Sequence, residues 1–402
     1  MPLPNSTENA INLAAVLSAL KTLAYQNYQV PAVHDEELYK SINKYSGIKY
    51  CSLPIEVATR LVHTPRFVLS FVETRSAIKP EKKLKRTMAF THTVIVTGGT
   101  VGLGYYAALN IAKAYPQYLV VLSSRTDRES AAQKINSTLG QDNVTFLALD
   151  LSSIAKVKKY AKEYSSKKFP PIIALLLNAG LQFPNEVTFT ADGFESTFQV
   201  NHLGHAILLH HLSPHFAPGV RVTLTASGTH DPAQKSGMPD AIYTSAADLA
   251  RPDPKTVTKD GRQRYSTSKL LNVMFGYALV RRIPSEQMTV NSFDPGLMPG
   301  TGLAREYSSF MRFIWNHVLP HLVPVLKLLV MDGNIHLPAE SGANLAWVAL
   351  SKETAGKNGV YYSGKKEIPS SIDSHIVEKQ DDLWDWTVKE VTGGEEEYLS
   401  PK

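Results

Sequence analysis

The stretch Val94-Ile95-Val96-Thr97-Gly98-Gly99-Thr100-Val101-Gly102-Leu103-Gly104 decides the fold. A short β-branched run reads as a buried strand, the glycines as a turn, and Tyr105 to Tyr115 carries apolar positions at helical spacing. A strand that stops in such a turn and feeds a helix offers unpaired backbone N–H groups and the positive helix end to an anion. Glycines also let a pyrophosphate approach the backbone closely. Gly98, Gly102 and Gly104 fill these roles, although Gly-x-x-x-Gly-x-Gly differs from the six-residue Gly-x-Gly-x-x-Gly spacing. A turn of this kind can also simply join a strand to a helix; its place after Val94–Val96 favours the dinucleotide reading.

Working outward, strands are expected at Leu119–Leu122, Thr145–Leu149, Ile172–Leu177, Val220–Thr225, Thr289–Phe293 and Val360–Tyr362, separated by helical or loop sequence. Alternating strands and helices imply an α/β fold, a Rossmann-type doubly wound parallel sheet flanked by helices, over residues 91–402. Residues 1–90 read as a helical N-terminal extension and basic linker, with apolar positions at helical spacing in Ile11–Tyr25 and Ile55–Val72. Met88 precedes the first strand, so the extension is either an accessory helical module or an upstream translation extension.

The chain has 402 residues and a formal net charge of +6. Residues 79–86 hold five basic groups and one acidic group, which leaves the remainder close to balance and argues against nucleic acid. Such a run reads first as a solvated linker, and second as a peripheral contact for an anionic membrane or a partner surface. Cys51 is the only cysteine, so no intrachain disulfide, zinc site or thiol-redox motif is expected, and a reducing compartment fits. Neither a secretory signal nor an arginine-rich transit peptide is evident, and the expected location is cytoplasmic. The most apolar window, Phe310–Val330, is interrupted by Arg312, His317, Pro320, His321, Pro324 and Lys327, so no transmembrane span is expected.

The second informative stretch is Tyr265-Ser-Thr-Ser-Lys269. Positions four apart share one helix face, so the Lys269 ammonium can lie near the Tyr265 phenol and favour its ionised form. Alone, the pair reads equally as a surface Tyr and Lys; behind the glycine turn it reads as an acid in a nicotinamide-dependent oxidoreductase. The strand before residue 125 ends Ser123-Ser124-Arg125. An arginine fork there suits a 2′-phosphate, which favours NADP(H) over NAD(H), with Asp127 two residues on.

The order Thr97-Gly98-x-x-x-Gly102-x-Gly104, Asn178-Ala179-Gly180, Asn201, Ser227, Tyr265-x-x-x-Lys269 and Pro295-Gly296 resembles the short-chain dehydrogenase/reductase family. The segments at 227–232, 265–272 and 295–303 are similar to the branch that includes light-dependent protochlorophyllide reductase. That reductase has a cysteine where this chain has Leu271, so its photochemistry is not carried over. The resemblance implies that Thr97, Gly98, Gly102, Leu103, Gly104, Arg125, Asp150, Leu151, Asn178, Ala179, Gly180, Tyr265, Lys269, Pro295 and Gly296 hold the cofactor. It further implies Tyr265 as the proton donor and Ser227 as the group that polarises the substrate oxygen. Lys269 would hold the ribose and lower the tyrosine's pKa, and Asn201 would help hold a water connecting Lys269 to solvent.

The insertion between Ser227 and Tyr265 is expected to line or cover the substrate entrance, with His230 a second acid, a substrate contact or an ordinary loop histidine. Residues 301–335 are expected to form a lid, its apolar face made by Phe310, Trp315, Leu319, Leu322 and Leu326. A lid of this composition implies a bulky apolar small-molecule substrate, although the same residues would serve a packing or dimer interface. The expected activity is reduction of a ketone, aldehyde or activated double bond, or the reverse oxidation of an alcohol. The alternative is an NADPH-binding regulatory or scaffold protein without turnover, and the resemblance implies a homo-oligomer through the helices near Tyr265.

Overall fold

Strand β1 (His92–Thr97) is buried along almost its whole length, as are β2 (Tyr118–Ser124), β4 (Ile172–Leu177) and β6 (Met288–Asp294). Continuous apolar runs of this kind belong to strands covered on both faces. With β3 (Val144–Ala148), β5 (Phe216–Thr225), β7 (Tyr361–Ser363) and β8 (Lys366–Glu367) they form one sheet in the order β3-β2-β1-β4-β5-β6-β7-β8, parallel except for the β7–β8 hairpin. The computed structural model describes residues 89–183, 186–257, 259–301, 309–329, 334–394 and 397–399. The expected N-terminal helices and basic run lie outside the described residues.

Alternate residues of each strand face opposite layers. Ile95, Val121, Leu175 and Val222 pack against α3 (Ile154–Ser166), α4 (Gly204–Leu212), α5 (Gly261–Arg282) and a C-terminal helix, Val377–Thr392. Val94, Val96, Val120, Leu122 and Leu176 pack against α1 (Gly102–Ala114), α2 (Ala131–Leu139) and Pro338–Leu350. The expected doubly wound architecture is therefore the observed one. The order reverses at β1, which pairs with both β2 and β4, and in such sheets ligands bind outside the carboxyl ends of the strands at that point.

Sequence and structure differ in detail at β5, which begins four residues earlier than expected. Pro218-Gly219 is carried within it as an irregularity in its pairing with β4. The two-residue β8 was not expected; it follows the Gly364-Lys365 turn, too short a strand to leave a periodic signal. At the start of α5 the buried Arg264 pairs with buried Glu195 at 3.3 Å, fixing the turn that carries Tyr265. Among the described residues no helix is long and apolar enough to cross a membrane.

Candidate active site

A cleft of about 890 Å³ runs along the carboxyl ends of the strands. Its first wall is the β1–α1 turn. Gly98 and Gly102 have φ of +66° and +55°, a region that side chains rarely adopt, and a Cβ on Gly102 would meet open space. A Cβ on Gly104 would overlap the Gly98 carbonyl oxygen, so the turn closes on itself only with glycine there. No side chain caps α1 and no acidic residue occupies its first turn, leaving its N–H groups and positive end for an anion.

At the end of β2, Arg125 and Arg128 are exposed and line the cleft. Asp127 lines it too, with its carboxylate accepting from the Ala131 and Ala132 amides at 2.7 and 3.4 Å as a cap for α2, and Glu129 joins the lining. The Ser124 hydroxyl beside them is buried without a partner among the described residues. An orphaned hydroxyl and two exposed guanidinium groups at one strand end could take an anionic group. Asp150 and Leu151 line the cleft after β3, with the Asp150 carboxylate accepting from Ser152 and from Lys156 at 2.7 Å.

Thr97 does not line the cleft. Its buried hydroxyl accepts from the Asn178 and Ala179 amides at 2.8 and 2.9 Å and meets His205 Nε2 at 3.0 Å. It clamps the end of β4 to β1, and so presents Asn178-Ala179-Gly180, which line the cleft. Asn201 lies behind the lining in a π-helical turn, Gln199–Leu203. Its side chain accepts from the Leu181 amide at 2.9 Å and donates to the Leu181 carbonyl and Ser268 Oγ at 3.0 and 2.9 Å. These bonds tie the π-helical turn to Leu181 and to α5.

Ser227, Tyr265, Lys269, Pro295 and Gly296 meet at the other end of the cleft. Tyr265 and Lys269 project from α5, with the Lys269 Nζ 5.4 Å from the tyrosine ring centre. The Lys269 ammonium donates to the Thr225 carbonyl at 2.9 Å, and burial pulls its pKa down to about 8. It also lies 3.5 Å from where a Cβ on Gly180 would stand, as does Asn201 Oδ1, so both groups pack closely behind that residue. Ser227 sits in the loop after β5, its Oγ accepting from the Thr229 amide at 3.3 Å.

His230 is not an acid facing the substrate. It is buried, Nδ1 donates to the Ser227 carbonyl at 2.7 Å and Nε2 accepts from the Ser371 amide at 3.1 Å, and burial holds it neutral. Of the insertion, Thr229, Gln234, Lys235, Ser236 and Met238 line the cleft, whereas Tyr243 and Ala246 dock on Asp382 of the C-terminal helix. Within the expected lid, Trp315 lines the cleft and donates to the Thr301 carbonyl at 3.1 Å, while Phe310 and Phe313 are exposed. Residues 302–308 and 330–333 and the Leu326 side chain lie outside the description. Lining residues to which the sequence reading gave no role include Arg128, Asp294 and Asn334. Asp294 had a signal, a carboxylate directly before Pro295-Gly296 at the end of an apolar strand.

Comparison with known proteins agrees with this geometry. Residues 92–234 match the family model described as short chain dehydrogenase. The chain is 30% identical over 322 residues to protochlorophyllide reductase A of Oryza sativa subsp. japonica, covering 74% of this chain and 79% of that one. It is 28% identical over 298 residues to the polyprenol dehydrogenase of Homo sapiens, covering 72% and 82%. With the WW domain-containing oxidoreductase of Drosophila melanogaster it shares 28% over 294 residues, 73% of this chain and 66% of that longer protein. A glycine turn, a Ser-Tyr-Lys cluster and these relatives converge: the chain belongs to the short-chain dehydrogenase/reductase family of oxidoreductases, in a branch resembling protochlorophyllide reductase.

Proposed function

We propose that this protein is an NADPH-dependent oxidoreductase acting on a carbonyl, alcohol or activated double bond of a bulky apolar metabolite. The observation that carries the reading is the placement of Ser227, Tyr265 and Lys269 at one end of a single cleft whose other end holds the glycine turn, Arg125 and Arg128. When bound, the cofactor supplies a hydride at its nicotinamide. The turn and α1 would receive the pyrophosphate, Ser124, Arg125 and Arg128 the 2′-phosphate, and Asn178-Ala179-Gly180 with Lys269 the nicotinamide ribose.

In the reducing direction Ser227 hydrogen-bonds the substrate oxygen and Tyr265 gives it a proton as hydride arrives at the neighbouring carbon. Lys269, a buried cation beside the ring, stabilises the phenolate left behind. In the oxidising direction the same groups run in reverse. Met238, Leu297, Met298, Trp315 and Ile335 give the remaining lining an apolar character, which supports a large apolar substrate. Two relatives are named for protochlorophyllide and polyprenol.

The test is to follow NADPH absorbance loss with a panel of apolar ketones, enones and quinones, beside Tyr265→Phe and NADPH affinity by fluorescence. Turnover that vanishes in Tyr265→Phe while affinity persists supports the reading. Tight NADPH binding with no turnover on any class would favour a binding protein that uses NADPH as a ligand.

A further inference from the structure

The proposed chemistry leaves one buried charged group at the reactive end of the cleft without a task. Asp294 ends β6, is 3% exposed and lines the cleft. Three N–H donors from three separate segments reach its carboxyl group. Oδ1 accepts from the Gly296 amide at 3.0 Å, Oδ2 accepts from Asn334 Nδ2 at 2.7 Å, and the Gly228 amide also donates to it. A Cβ on Gly228 would stand 3.2 Å from Oδ2, so the carboxyl group lies against the backbone next to Ser227. Burial pushes the Asp294 carboxyl pKa up, while the Gly296 and Gly228 amides, His336 and Lys269 oppose that rise, and the three donors favour the carboxylate form.

Lys269 is its near neighbour by strand geometry. The Thr225 carbonyl that receives the Lys269 ammonium belongs to the residue in register with Phe293, immediately before Asp294. Adjacent parallel strands lie about 5 Å apart, so the cation and the carboxylate are hung on neighbouring strand ends. Asn334 adds a third connection: its carbonyl accepts from the Leu297 amide at 2.9 Å, and it stands where the chain returns from the helical segment Leu319–Leu329.

We infer that Asp294 is a positioning residue for hydride transfer, the counter-charge to the buried Lys269 ammonium and the tie that holds the Ser227 loop, the Pro295-Gly296 turn and Asn334 in one register. This rests on the reading of Lys269 as the cation beside Tyr265. The ionisable groups facing the pair are Tyr265 and His205 on the Lys269 side, and Tyr361 and His336 on the Asp294 side, His336 itself 2.9 Å from Glu340. Burial lowers Lys269 and Asp294 opposes that lowering, so removing the carboxylate must let the lysine lose its proton more readily.

The test reads Lys269 directly and needs no turnover. Full-length protein is labelled with acetic anhydride across a pH series, and the Lys269 peptide is quantified by mass spectrometry in wild type, Asp294→Asn, Asp294→Glu and Asn334→Leu. The labelling midpoint should fall by about one pH unit in Asp294→Asn, return toward wild type in Asp294→Glu and stay put in Asn334→Leu. Coincident midpoints for wild type and Asp294→Asn overturn the inference. Should Asp294→Asn not fold alone, Lys269→Met supplies the second measurement. It leaves a buried carboxylate without its cation, so adding Asp294→Asn to it should raise the urea midpoint, and a further fall overturns the inference. A protein inactive on every substrate would count against the proposed reaction while leaving both measurements intact.

Discussion

The two ends of the cleft are built differently. The glycine-turn end is made of backbone: bare N–H groups at the start of α1, positive-φ glycines, and exposed guanidinium groups at the tip of β2. The reactive end is made of buried side chains from β5, α5 and β6, hydrogen-bonded across long sequence separations, as between Lys269 and Thr225 or Asp294 and Asn334. Under the proposed function the first end would recognise a ligand by shape and charge. The second fixes atoms relative to one another in a water-poor setting, where a displaced group loses far more. Substitutions at the first should act on affinity, and at the second on rate.

The largest expected effect tests that division at its sharpest point. Tyr265→Phe should lower kcat by about 10²–10⁴-fold with NADPH affinity nearly unchanged, measured by steady-state kinetics and fluorescence titration; equal losses in both would erase the distinction.

The joint between the ends comes next. His205, under Thr97, and His202, against Thr387, are held near 3 by burial, against an ordinary value of 6.5. Below pH 6.5 the unfolded chain takes up protons that the folded chain refuses, so stability should fall as pH drops from 6.5 toward 3, by several kcal/mol in all. Urea unfolding at stepped pH checks this, and His205→Gln should flatten the slope.

At the glycine-turn end Gly104→Ala forces a Cβ onto the Gly98 carbonyl and should cost about 2–4 kcal/mol of stability by calorimetry. Arg125→Asp should weaken NADPH about 10–100-fold while sparing NADH, with kcat at saturation little changed. A kcat that collapsed in Arg125→Asp would place a rate-determining contact at the end assigned to recognition.

The same contrast explains what could be read from the chain. The turn and the strands were legible because their signals are local: β-branched runs, glycines at fixed offsets, and Tyr265 and Lys269 one helical turn apart. Asn201 and Thr97 were singled out in the sequence, but what their side chains touch depends on residues 20 and about 80 positions away. Asp294 is bound by Asn334, 40 residues downstream, and His230 by Ser371, 141 downstream; no short-range pattern carries such pairings.

The hairpin that closes the sheet has a consequence for self-association. β8 is two residues long, antiparallel, and presents Lys366 and Glu367 to solvent, with Lys357 3.1 Å from the Glu367 carboxylate. A charged margin this brief gives an incoming strand almost no ladder to extend, so that rim is guarded against edge-to-edge aggregation.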